Sequence, residues 1–288
     1  MKALALAVSA ALLLTSPIPQ TRPLPDLEPF LREVRKHIQR DEERQSGYSY
    51  VETRRERKLD NSGKSTRESV KVFENYPGLP GEERWNRLIS EDGRPVPAEE
   101  LARGDREREK KAQEYVRRLT KDPNGVRQEE ARERDKKQRE TQKRLDDALV
   151  VFDIRLVARE QIQGHETIAL SLTPRPQSTP ATRVGRIMKN FSARAWVSES
   201  DYEITRVDIE AIDNVSIGLG LLARVYRGTR ASFARRKVND EIWLPASASY
   251  TATARIALFK MMRIGGTSEF SAYRKFTVGT ATTFATPQ

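Results

Sequence analysis

Residues 191–211 read FSARAWVSESDYEITRVDIEA. Phe191, Ala193, Ala195 and Val197 alternate with Ser192, Arg194 and Trp196. After a short acidic turn, Val207, Ile209 and Ala211 alternate with Arg206, Asp208 and Glu210. Successive strand residues point to opposite faces, so this pattern predicts two strands with one buried and one solvated side. The texture continues in both directions, through 149–159, 166–173, 221–228, 231–238, 241–244, 248–259 and 267–278. Turns are expected at Gln163-Gly164, Asn239-Asp240 and Gly265-Gly266.

Upstream, Leu27, Phe30, Leu31, Val34 and Ile38 fall at helical spacing and form one apolar stripe behind a capping Asp26. A three-strand meander is expected next, over 47–58, 64–74 and 84–90, with turns at residues 60–63 and at Asp92-Gly93. Strands on this scale, about ten or eleven, twist and curl rather than lie flat. The expected fold is therefore mainly β (α+β): a curved antiparallel half-barrel covered by an N-terminal amphipathic helix.

Residues 97–148 break the pattern. They are dominated by Glu, Lys, Arg and Gln, and between 127 and 144 Ala131 is the one apolar residue. A helix of this kind has no face to bury, so a charged helical insertion, a solvated hairpin, is expected. The N-terminus carries Lys2 and an apolar run over 3–14, the charge and length of an export signal, so 1–20 is expected to be a signal peptide. The remainder, 21–288, is expected to be a single domain of the periplasm or cell envelope.

The chain has no cysteine, which excludes a disulfide framework and thiolate chemistry. Two histidines and no H-E-x-x-H give no basis for zinc, and no G-x-S-x-G elbow occurs. Ser62-Gly63-Lys64-Ser65 imitates the end of a phosphate loop, but Lys58 stands where the first glycine belongs. Gly218-Leu219-Gly220 lacks a strand–turn–helix setting. No enzyme activity, cofactor or metal is expected. The net charge of +11 lies mostly in the C-terminal half, around Arg224, Arg227, Arg230, Arg235, Arg236 and Lys237. A basic surface of this kind can meet nucleic acid, anionic lipid headgroups or an acidic protein, or serve solubility alone, and basicity does not choose among these. The partners expected are lipid or lipoprotein acyl chains, with peripheral contact to an anionic membrane and no nucleic acid.

A half-barrel under one helix leaves concave apolar area that side chains alone fill with difficulty. The residues expected to line that cavity and its cover are Phe30, Leu31, Val34, Ile38, Phe152, Ile154, Leu170, Trp196, Ile209 and Trp243. The alternative is that these residues simply pack a closed core.

Three stretches carry a resemblance. Tyr48-Ser49-Tyr50-Val51 follows the first helix. Residues 85–90 run into Glu91-Asp92-Gly93-Arg94-Pro95, and residues 195–204 turn over a short acidic loop. In order and texture the chain resembles the outer-membrane lipoprotein-sorting superfamily, with its LolA-like fold, which includes the periplasmic regulator of the sigma-E stress pathway. The resemblance covers roughly residues 27–276, and residues 97–148 have no counterpart in a minimal carrier. It implies an exported, non-enzymatic protein that holds a lipid or lipoprotein acyl chains. The alternative is a periplasmic sensor that binds an envelope protein through the charged insert.

Overall fold

The computed structural model describes residues 22–60, 62–80, 82–217, 223–256 and 260–275. The export signal and the Gly218-Leu219-Gly220 segment lie outside them. Helix α1 (Leu27–Gln45) leads into β1 (Tyr48–Leu59), β2 (Ser65–Tyr76), β3 (Trp85–Glu91) and the short β4 (Arg94–Pro95). Helices α2 (Ala98–Lys121) and α3 (Pro123–Val151) follow. Next come β5 (Phe152–Ile162), β6 (His165–Pro174), a short α4 (Arg183–Met188), β7 (Phe191–Ser198) and β8 (Ile204–Ala211). The chain continues through β9 (Val215–Ile217), β10 (Ala223–Val225), β11 (Arg230–Val238), β12 (Ile242–Ile256) and β13 (Lys260–Lys275).

All these strands belong to one antiparallel, open, curved sheet, ordered β4-β3-β2-β1-β13-β12-β11-β8-β7-β6-β5. Strand β10 pairs with β12, and β9 with β10. The N-terminal meander is thus joined to the rest by pairing β1 with the last strand, Arg54 opposite Ser268 and Glu56 opposite Gly266.

Local chemistry sets the turns. Asp92-Gly93, Gln163-Gly164 and Asn239-Asp240 all have positive φ at both residues, the geometry that matches the twist of flanking strands. Gly265-Gly266 is not a turn. It lies within β13, opposite Thr251 and Tyr250. A Cβ on Gly266 would stand 2.5 Å from Cε1 of Tyr250, so the glycine makes room for a ring laid across the strand. The two segments expected at 241–244 and 248–259 are one strand, β12. Pro245 is accommodated where the β11–β12 register shifts.

Helix α3 also runs further than the sequence pattern implies, because Leu149, Val150 and Val151 finish the helix instead of opening β5. Val151 is fully buried there, and the Arg175 guanidinium donates to the Leu149 carbonyl at 2.8 Å.

The α2–α3 hairpin is pinned rather than free at its base. Arg87, nearly buried, donates to both carboxylate oxygens of Asp105 at 2.7 and 2.8 Å and to Glu74 at 2.9 Å. Arg108 reaches Glu82 at 2.6 Å. Asp147 accepts from the backbone N–H groups of Ala181 and Thr182 at 2.7 and 2.9 Å. Arg35 and Gln39 of α1 bond to Asp146 and Gln142. These pins are polar and distant in sequence, so no apolar stripe announces them.

The outer part of the hairpin is held mostly by itself, as in the 2.7 Å bond from the Tyr115 hydroxyl to Glu130. Arg108 and Lys136 stand at like distances from Asp122 along the two arms. Replacing residues 109–135 with a short Gly/Ser linker should therefore lower the melting temperature by no more than a few degrees. A loss much larger than that in a thermal melt would show that the outer hairpin supports the sheet.

Candidate functional site

Helix α1 lies on the face of β5–β8 to which their small and aliphatic residues point. Phe30 and Val34 are buried against Ile168, Leu170, Ala195 and Val197. Leu31, Ile38, Ile154, Leu156, Leu172, Ile204 and Val207 pack around them. The Phe30 and Tyr202 rings meet at 5.6 Å between centroids.

The same face continues past α1 without a cover. Pairing sets Val207 opposite Phe233, Phe233 opposite Ala248, and Ala248 opposite Ser268. In the next row Ile209 faces Ala231 and Ala231 faces Tyr250. These two rows floor a cavity of about 450 Å³. Ile209, Phe233 and Tyr250 remain 38%, 36% and 37% exposed in it. Val207 belongs to both the cavity and the cluster beneath α1, so the apolar surface is continuous between them.

The far wall is polar. Arg54 holds Glu52 through two bonds of 2.9 and 3.1 Å and lies 4.7 Å over the Phe73 ring. Glu52, itself buried, accepts from Ser268 at 2.7 Å.

The acidic turn between β7 and β8 secures α1 and the chain before it. Glu203, 3% exposed, meets Arg44 and lies 3.3 Å from Arg235 and 3.5 Å from Nδ1 of His37. Arg235, also 3% exposed, bonds Asp41 of α1 at 2.6 Å, the Ile204 carbonyl at 3.2 Å and the Trp243 carbonyl. Glu199 pairs with Arg159 at 2.7 Å and Arg22 at 2.6 Å. Burial raises the Asp201 carboxyl, but hydrogen bonds from Lys237, Trp243 and Ser200 outweigh it and hold the group down at about 2. Its contribution to stability is complete above its ordinary value of 3.8 and is lost as pH falls towards 2.

Of the residues expected at the site, Phe30, Leu31, Val34, Ile38, Ile154 and Leu170 meet in one cluster, and Ile209 lines the open cavity. Phe152 is buried at the start of β5. Trp243 is fully buried; its indole donates to Asp201 at 2.8 Å and its ring meets His165 edge-on at 4.9 Å. Trp196 points to the opposite face, with Arg194 and Arg206 each 4.9 Å from its ring and a 2.7 Å bond to Glu160. Ala231, Phe233, Ala248 and Tyr250, not anticipated at the site, floor the cavity. Their alternation is legible in the sequence, but the pairing of β11 with β8 that sets Phe233 beside Val207 is not.

Among the described residues, no group of three or more His, Asp or Glu side chains is placed to hold a metal ion.

No protein-family model matches the chain. No curated protein matches it either. Among solved structures it is similar to a LolA superfamily protein from Nitrosomonas europaea, at 8% identity and a TM-score of 0.33 over 86% of this chain and 94% of that one. It is similar to a Vibrio parahaemolyticus domain described as an outer membrane lipoprotein-sorting protein, at 12% identity and a TM-score of 0.30 over 88% and 94%. It is similar to the MucA/MucB complex of Pseudomonas aeruginosa, at 10% identity and a TM-score of 0.22 over 85% and 100%. The structural neighbours of this chain thus include LolA superfamily proteins and MucB.

Proposed function

We propose that this chain is an exported binding protein of the cell envelope that holds a lipid, or the acyl chains of a lipoprotein, on the concave face of its sheet. One observation carries the reading. Ile209, Phe233 and Tyr250 stay more than a third exposed on the floor of a cavity continuous with the apolar cluster under α1. Its volume, about 450 Å³, is in the range of small-ligand sites. Each methylene laid there contributes about 0.8 kcal/mol. In this reading α1 is a movable cover whose stripe, Phe30, Leu31, Val34 and Ile38, borders the ligand.

Because Ile209 and Phe233 are partly exposed, Ile209→Asp and Phe233→Asp should fold with little loss of stability. Both put a charge where methylenes would lie. In a titration with a fluorescent fatty-acyl probe, the wild type should bind and each variant should bind at least tenfold more weakly, about 1.4 kcal/mol. A wild type that takes up no probe, or variants that bind as it does, would overturn the lipid reading. The alternative, an envelope protein bound through the α2–α3 hairpin, would then move ahead.

A further inference from the structure

Where β10 lies against β12, Arg224 and Arg255 stand directly opposite each other. Alternation along β12 places Arg255 on the side of Ser249, Thr251 and Thr253, away from Tyr250 and the cavity. Side chains so opposed leave Cβ atoms about 5 Å apart, and like charges there repel.

No carboxylate among the described residues offsets that repulsion. The Nε atoms of both arginines are shielded from solvent and donate to no acceptor. Among the described residues neither guanidinium has a carboxylate partner, and Arg224 lies 5.7 Å over the Tyr226 ring. Other arginines of the same face are paired: Arg57 with Glu68, Arg206 with Asp208, Arg230 with Glu210. The same row continues on either side, with Ser216 opposite Arg224 and Met261 opposite Arg255. Met261 is 56% exposed.

We infer that this row docks on the phosphate headgroups of an anionic membrane. Two guanidiniums side by side match the oxygens of a phosphate, which accepts paired N–H bonds and removes the repulsion between them. The exposed thioether beside them suits the boundary between headgroups and acyl chains rather than bulk water. The row lies on the face opposite the cavity, so the two surfaces are separable by experiment.

The test is co-sedimentation of the full mature chain with vesicles of phosphatidylglycerol or of phosphatidylcholine. Wild type should bind the anionic vesicles, more weakly as salt rises, and not the neutral ones. Arg224→Gln with Arg255→Gln should weaken binding roughly thirtyfold, the effect of two basic residues at the surface. Arg206→Gln with Arg230→Gln, which removes the same charge from paired arginines, should stay within about threefold of wild type. The Arg224/Arg255 variant should melt no lower than wild type and should take up the acyl probe normally.

Equal losses in the two double variants would reduce the effect to net charge. Unchanged binding, or a large drop in melting temperature, would also overturn the inference. Complete displacement from vesicles by millimolar inorganic phosphate would assign the pair to a free anion instead of a membrane.

Discussion

Replacing Arg235 with methionine is expected to cost about 3–5 kcal/mol of folding free energy, lowering the melting temperature by roughly 10 °C. Arg235 is 3% exposed and bonds Glu203, Asp41 and the carbonyls of Ile204 and Trp243. Removing it leaves Glu203, 3% exposed itself, with a buried negative charge short of one partner. It also unfastens α1 from β11, since Asp41 belongs to the helix. The cost comes from the stranded carboxylate more than from the lost bonds. Arg235→Met combined with Glu203→Leu should therefore recover part of the stability. Urea melts of the single and double variants measure this coupling directly. A single-variant loss below about 1 kcal/mol would show that α1 is held by its apolar stripe alone.

The second large effect concerns that stripe. Phe30 and Val34 are 3% and 5% exposed, and truncations of this kind cost about 2–5 kcal/mol each in a closed core. The cost is capped if α1 can leave the sheet as a unit, because the helix is held through one face and the polar contacts at its C-terminal half. Phe30→Ser with Val34→Ser should then lose the circular-dichroism signal of α1 and keep that of the sheet. Exchange of a bound fatty-acyl probe should speed up, since the apolar surface beneath the helix joins the cavity through Val207. Global unfolding of the double variant would assign α1 to the core and not to a cover.

Much of the fold is legible in the chain because strand alternation and turn chemistry are local. The strand expected at 191–198 is β7 with the same bounds, and three of the expected two-residue turns carry the positive φ pair that their residues favour. Gly265-Gly266 shows where local reading fails: a glycine pair marks a turn or a close approach, and only the position of the Tyr250 ring decides between them. The docking of the hairpin is hidden for a related reason. Arg87 and Asp105 look like solvated charges until the fold brings them within 2.7 Å.

The candidate site is partly legible. The stripe of α1, Ile154, Leu170 and Ile209 follow from periodicity alone. Trp196 draws attention by its size, yet its alternation with Ala195 and Val197 already sets it with Arg194, on the side the helix does not cover. Phe233 and Tyr250 need the strand order, a non-local property settled by which strands pair across long stretches of chain.

The central claim is that the concave face holds acyl chains, and its most direct measurement is organic extraction followed by mass spectrometry of protein purified from the exported fraction. Lipid is expected in stoichiometric amount with the wild type and should be lost from the Ile209→Asp and Phe233→Asp variants, both still folded. A lipid-free wild type, or lipid retained equally by both variants, would contradict it.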